Sequence, residues 1–255
     1  MCQRNAWALQ GTGVRWRKLS GPDNEAVPPD PEGHDMNEIK ALIDAERTRM
    51  LGVLEKLDNE QWHSSSLCAG WRVRDVVVHL LMPYQLTVTR FLGNMAAAGF
   101  KFDTMADRWA KGDNRPNRQI VDALRLTATA RFRIPGAPPE APLCHLVIHA
   151  QDIYRPLGID HSIDPQSANI VLDQLTSSRA RRALKPGLLD GLAFTAHDSG
   201  WKYGTGAEVI GSASALVTTL AGRPAATHEL TGSGAAQVRR RLLPPSPETS
   251  EPTAT

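Results

Sequence analysis

His145 and His149 stand four residues apart in PLCHLVIHAQDIYR, a segment whose apolar residues recur at helical spacing. A helix turns once in about 3.6 residues, so two imidazoles at that spacing share a face and can chelate one cation. A third histidine, His79, lies in VRDVVVHLLMPYQ and can complete the set only from a facing helix. Three neutral imidazoles suit zinc and other borderline divalent ions, and they leave a coordination position open to water or substrate. The same spacing fits two histidines packed on a core face and hydrogen-bonded there. With eight histidines in the chain, a pair four apart arises often by chance, so spacing alone leaves both readings open.

Other residues near these histidines carry chemical options. Asp75 lies one turn before His79 and Asp152 three residues after His149, so either carboxylate could orient an imidazole. Asp75 also suits the start of its helix, where a negative charge complements the dipole. Asp152 fits better an orienting or structural-network role. Cys144 points about 100° around the helix from His145 and reads as a small buried hydrophobe. Cys68, in the loop SSSLCAGW, is a better candidate for a reactive thiol than Cys144, although burial is the favoured reading. Trp62 and Trp71 read as core packing. Arg155-Pro156-Leu157-Gly158 reads as a helix stop, and GTGAEVIG lacks the strand and helix that a dinucleotide-binding glycine motif requires.

These residues need helices to hold them. MNEIKALIDAERTRMLGVLEKL places Ile39, Leu42, Ile43, Met50, Leu51 and Leu54 on one face of a first amphipathic helix ending near Asp58-Asn59. VRDVVVHLLMPYQLTVTRFLGNMA predicts a long second helix interrupted or bent around Pro83. After a polar loop, RQIVDALRLTATARFR predicts a third helix, and PLCHLVIHAQDIYR a fourth with Pro142 in its first turn. Four helices in this order predict an antiparallel bundle over residues 36–160. The pattern then changes. QSANIVLDQLTSSRARRAL and GSASALVTTLAGR predict helices, GLAFTAHD and the stretch around WKYGTG predict short strands, and THELTG a strand or loop before AAQVRRRL. Residues 161–243 therefore form a smaller α+β unit. Residues 1–35 and the tail 244–255 have the composition of disordered segments, and whether 1–35 belongs to the native product stays open, since Met36 opens the first regular element.

Composition narrows the class. An apolar fraction of 41% supports a real core, and a net charge of only +2 gives no reason to expect nucleic acid or an anionic membrane as partner. No apolar run approaches the roughly 20 residues that span a bilayer. Three cysteines, an odd and sparse set, argue against a disulfide framework, so a reducing cytoplasmic setting is the expectation.

GWRVRDVVVHLL together with HLVIHAQDIYRPLG resembles the mycothiol-dependent maleylpyruvate isomerase family, whose N-terminal domain belongs to the DinB-like metalloprotein superfamily. LAGRPAATHELTG resembles the smaller domain that follows in that family, so the resemblance spans residues 36–243. It implies a mainly α protein, a DinB-like four-helix bundle followed by a smaller α+β domain. It also implies His79, His145 and His149 as metal ligands, and Arg223 as the C-terminal-domain arginine that reaches the active site in a catalytic role. Read without the resemblance, Arg223 is equally a helix-end cation. His145 stands where the isomerase has a glutamate ligand and other superfamily members have histidine. Without that carboxylate the full divalent charge stays on the metal, and a coordinated thiol should be acidified more strongly. The implied cofactors are a divalent metal, zinc by its ligand set, and mycothiol. The implied activity adds that thiol to a small electrophilic, anionic substrate, with isomerase and transferase outcomes both open. Rival readings are a thiol-independent metal-dependent hydrolase and a non-catalytic metal-binding regulator.

Overall fold

The computed structural model describes residues 36–130, 132, 137–181 and 184–243; the expected extension 1–35 and tail 244–255 lie outside the described residues. The first helix, α1, spans Met36–Leu54. It stops short of Leu57 because Asp58 starts another helix, α2 (Asn59–His63): its carboxylate accepts from the Gln61 N–H at 2.8 Å while the Gln61 side chain accepts from the Asp58 N–H at 3.0 Å. This reciprocal cap satisfies two backbone donors at once.

Helix α3 (Val73–Gln85) continues through Pro83, and the interruption expected around that residue falls just after it. Proline in a helix removes one backbone hydrogen bond, a cost of about 3 kcal/mol, but α3 is buried on nearly every side and tertiary packing outweighs it. The break comes at Leu86-Thr87, where the Thr87 hydroxyl accepts from the Arg90 N–H and opens α4 (Val88–Ala97). The segment expected as a loop between the second and third helices contains α5 (Phe102–Lys111). Phe102, Met105, Ala106, Trp109 and Ala110 recur at helical spacing, and Met105, Ala106 and Ala110 are buried where α5 packs on α3. Helix α6 (Asn117–Leu126) is shorter than its predicted stretch, and α7 (Ala141–Tyr154) carries Pro142 in its first turn as expected.

Helices α1, α7, α3 and α6 close a ring, each packing on the next, which is the expected four-helix bundle. Beyond it, Asp164 caps α8 (Pro165–Thr176), and the single helix expected through Leu184 is cut by extended backbone at Ser177 before the short α9 (Ser178–Arg181). Strands β1 (Leu192–Ala196), β2 (Lys202–Gly204) and β3 (Ala207–Gly211) form a sheet in the order β2-β1-β3, with β1 antiparallel to β2 and parallel to β3. The glycine-rich GTGAEVIG thus supplies a strand. Helix α10 (Ala213–Leu220) follows a Ser212 cap, and THELTG, expected as a strand or loop, runs from the end of a 3-10 turn (Pro224–Glu229) to one bridge from Thr231 to Ile210. Helix α11 is Ala235–Leu242. Among the described residues no helix is long and apolar enough to cross a membrane.

Helix α7 belongs to two cores. Leu146, Ala150, Ile153 and Tyr154 pack with the bundle, while Leu143, Cys144, Val147 and Ile148 pack with α8, the sheet and α10. A helix apolar on two faces must be covered on both. Sharing α7 should therefore make unfolding one cooperative event. We expect Leu81→Ala in the bundle core and Leu216→Ala in the C-terminal core each to cost about 2–5 kcal/mol. Both should shift one common urea transition, followed by circular dichroism and tryptophan fluorescence; a separate early transition in the Leu216→Ala variant would contradict the shared core.

Candidate metal centre

Between its two apolar faces α7 carries a third stripe, His145, His149 and Asp152, at positions i, i+4 and i+7. All three are buried, as is His79 on the facing α3. The rings of His79, His145 and His149 form a closed triangle with centroids 4.9–5.0 Å apart and planes tilted 73–85° from one another. One nitrogen from each lies within 4.8 Å of the others. Stacked core histidines would lie more nearly parallel or point their nitrogens at backbone; these converge on a common point.

Burial, followed by the charge of neighbouring His149, pushes the His79 imidazole well below its ordinary pKa, and burial does the same for His145. For His149 burial again dominates and outweighs the opposing pull of Asp152. Three neutral imidazoles in one dry place have lone pairs to offer. Nδ1 of His79 is buried without a hydrogen-bond partner among the described residues. A buried, orphaned ring nitrogen in a converging histidine triad fits a divalent cation, and the donor set fits zinc.

Asp152 stands behind His149. Its Oδ2 accepts from His149 Nδ1–H at 2.8 Å, which fixes the tautomer and leaves Nε2 to face the other two rings. Arg223 grips the same carboxylate from the C-terminal part of the chain, Nε to Oδ1 at 2.8 Å and an Nη to Oδ2 at 2.7 Å. Burial opposes ionisation of Asp152, but the Arg223 guanidinium and the hydrogen bonds from His149 and Arg223 hold its carboxyl well below the usual carboxylate range. Arg223 is itself buried, and its remaining nitrogen donates to the Ala221 carbonyl. It is therefore far from a solvated helix-end cation. Its guanidinium is committed to Asp152.

The loop before α3 completes the surroundings. Gly70, with φ at +79°, turns the chain so that Trp71 N–H reaches the Cys68 carbonyl at 2.9 Å. Trp71 then lies against His79, ring centroids 5.1 Å apart, and Phe132 lies against His145 at 6.2 Å. Cys68 is buried with Sγ 3.1 Å from Asp152 Oδ2. Cys68, His149 and Asp152 also converge closely enough to hold an ion, but the Arg223 cation already occupies that side of the carboxylate. Cys144 is a buried hydrophobe, its thiol pushed up by burial. Asp75 caps α3 by accepting the Arg72 N–H at 2.9 Å and pairing the Arg72 guanidinium; it serves the helix start. Trp71 and Phe132 at the histidines, and Cys68 at Asp152, were not legible beforehand. Their partners are up to 84 positions away, and no local pattern announces such contacts.

Residues 43–152 match the family model described as the mycothiol maleylpyruvate isomerase N-terminal domain. All three histidines and Asp152 fall within that span. Two solved structures are similar in fold, the mycothiol-dependent maleylpyruvate isomerase and a histidine-to-alanine mutant of it. The first has a TM-score of 0.54 at 16% identity, the mutant 0.55 at 15%, and each comparison covers 79% of this chain and 94% of the other. No curated protein matches the chain.

Two predictions come from this geometry. Asp152→Asn leaves Arg223 as a buried charge without its counter-ion, so the variant should lose about 3–5 kcal/mol in urea unfolding. The same change should weaken zinc binding by about 10- to 100-fold in a chelator competition, because His149 loses its ionised acceptor. Second, the folded-state pKa values of the histidines lie below the unfolded value of about 6.5, so the unfolded chain takes up protons first as pH falls. Stability of the metal-free protein should be full above that value and decline below it, each histidine adding up to about 1.4 kcal/mol per pH unit. Urea midpoints measured from about pH 7.5 to about pH 5.5 check this, and a flat profile would contradict neutral imidazoles in the fold.

Proposed function

We propose that this protein is a mycothiol-dependent metalloenzyme whose divalent ion, zinc by its ligand set, is held by His79, His145 and His149; the match of residues 43–152 to the mycothiol maleylpyruvate isomerase N-terminal domain supports this reading. The observation that carries the reading is the buried triangle of converging imidazoles, with its orphaned His79 nitrogen. The chemistry is addition of the mycothiol thiol to an electrophilic carbon of a small substrate. Release of the thiol after rotation about the attacked bond gives an isomerase, and retention of the adduct a transferase.

When bound, the ion would supply Lewis acidity and lower the pKa of a coordinated thiol. The rest falls to the chain. His79 from α3 and His145 and His149 from α7 present neutral nitrogens from two helices that packing holds still. Asp152 keeps the His149 proton on Nδ1, so that ring faces inward with Nε2. Trp71 packs tilted against His79 and Phe132 edge-on against His145, which adds apolar surface beside the two rings. Arg223 serves the site through Asp152, holding that carboxylate ionised and oriented. The substitution of histidine for glutamate at position 145 suits a stronger acidification of the bound thiol and a substrate other than maleylpyruvate. No nucleic acid or membrane enters this reading, and the setting is cytoplasmic.

The test is calorimetric titration of the zinc-loaded protein with mycothiol, followed by a screen of small electrophiles with and without the thiol. Binding heat and thiol-dependent turnover, both lost in His79→Ala and His149→Ala, are expected. Absence of heat at millimolar mycothiol, with turnover persisting without thiol, would replace this reading with a metal-dependent hydrolase.

A further inference from the structure

The chemistry proposed above makes no use of Cys68, yet the fold takes trouble to place it. The Ser66 hydroxyl accepts from the Cys68 N–H at 3.1 Å, the Leu67 N–H donates to the Asp152 carbonyl at 3.0 Å, and the Cys68 thiol reaches the Asp152 carboxylate at 3.1 Å. The loop thus meets the end of α7 through both backbone and side chain. The thiol donates to that oxygen and its sulfur accepts from an Arg223 Nη at 3.8 Å, so the S–H lies between the two members of the ion pair. Cys68 is a neutral donor there and is not the reacting thiol.

Oδ2 of Asp152 consequently accepts from three donors: Arg223 at 2.7 Å, His149 Nδ1–H at 2.8 Å and Cys68 at 3.1 Å. A carboxylate oxygen offers about two lone pairs, so the three compete for its charge. Arg223 is the strong donor, and its grip on both oxygens already fixes the orientation of the carboxylate. What the thiol can change is the charge left for His149. Resting on the metal-centre reading above, we infer that Cys68 is a positioning residue of that centre: its S–H draws charge from the oxygen that His149 Nδ1–H shares, and so limits how strongly the His149 imidazole donates to a bound divalent cation. Because S–H is a weak donor, the effect trims affinity. A less basic His149 leaves more positive charge on the ion, which favours acidification of an incoming thiol.

The test uses the full-length chain and compares the wild type with Cys68→Ala, Cys68→Ser and Cys144→Ala. Zinc affinity is read by competition with a chromophoric chelator, and the ligand field from the visible absorption of the cobalt(II)-loaded protein. Removing the donor should tighten zinc binding by about three- to tenfold and displace the cobalt bands, while serine, which keeps a donor and a stronger one, should leave zinc binding at or below the wild-type affinity. Cys144→Ala, which empties a buried thiol on α7 outside the Asp152 network, should change neither readout. A Cys68→Ala variant identical to wild type overturns the inference, as do Cys68→Ala and Cys68→Ser moving together, the signature of lost packing volume. If Cys68→Ala does not fold, a cobalt spectrum of Cys68→Ser displaced as far as that of a ligand variant overturns it equally. Stoichiometric metal binding by the wild type with no response at position 68 defeats this inference alone; no metal binding by the wild type defeats the underlying reading as well.

Discussion

The buried ion pair between Asp152 and Arg223 is the interaction on which the rest of the site depends. A carboxylate with no solvent contact is costly to leave alone, and the cost is met here by a guanidinium in fork geometry, a histidine N–H and a thiol. Those donors come from three parts of the chain: the end of α7, the loop before α3 and the turn after α10. The pair therefore ties the C-terminal unit to the bundle at the residue that orients His149. Hydrophobic packing alone could hold these elements together, but it would not choose which face of α7 meets Arg223.

The histidines impose a second requirement, which is rigidity without solvent. Neutral imidazoles stay neutral because they are buried, and they converge because α3 and α7 are each covered on nearly every side. That coverage explains features which look expensive in isolation. Pro83 inside α3 forfeits a backbone hydrogen bond, and α7 offers almost no polar surface to water. Both helices are stable only in the assembled molecule, so formation of the triad and folding of the two cores are one event. The second core is then part of the site, since it fills the far face of α7 and supplies Arg223.

Where sequence reasoning fell short, the reason is specific. Pro83 was expected to interrupt or bend its helix because local propensity opposes it; burial keeps the helix continuous at Pro83 itself, and the interruption falls at Leu86-Thr87. The helix α5 was passed over as a polar loop, although Phe102, Met105, Ala106, Trp109 and Ala110 carry the helical period; the charged residues between them hid a narrow apolar face. The strand β3 was overlooked because its segment was judged for its glycines. These errors left the bundle intact, since the helices that form it have long, strongly periodic apolar patterns.

What the sequence determined by itself was the pairing of His145 with His149 on one face, the helices that carry them and His79, and the order of bundle before α+β unit. Those follow from the period of the helix and from hydrophobic spacing, which are local properties of the chain. Only the tertiary structure decided that the three rings converge, that Arg223 spends its guanidinium on Asp152, and that Cys68 shares the same oxygen. Each of these joins residues tens of positions apart, and the geometry of such a meeting depends on how two cores pack around one helix. The spacing of two histidines could permit a metal centre; the packing brings a third imidazole to it and places a buried ion pair behind His149.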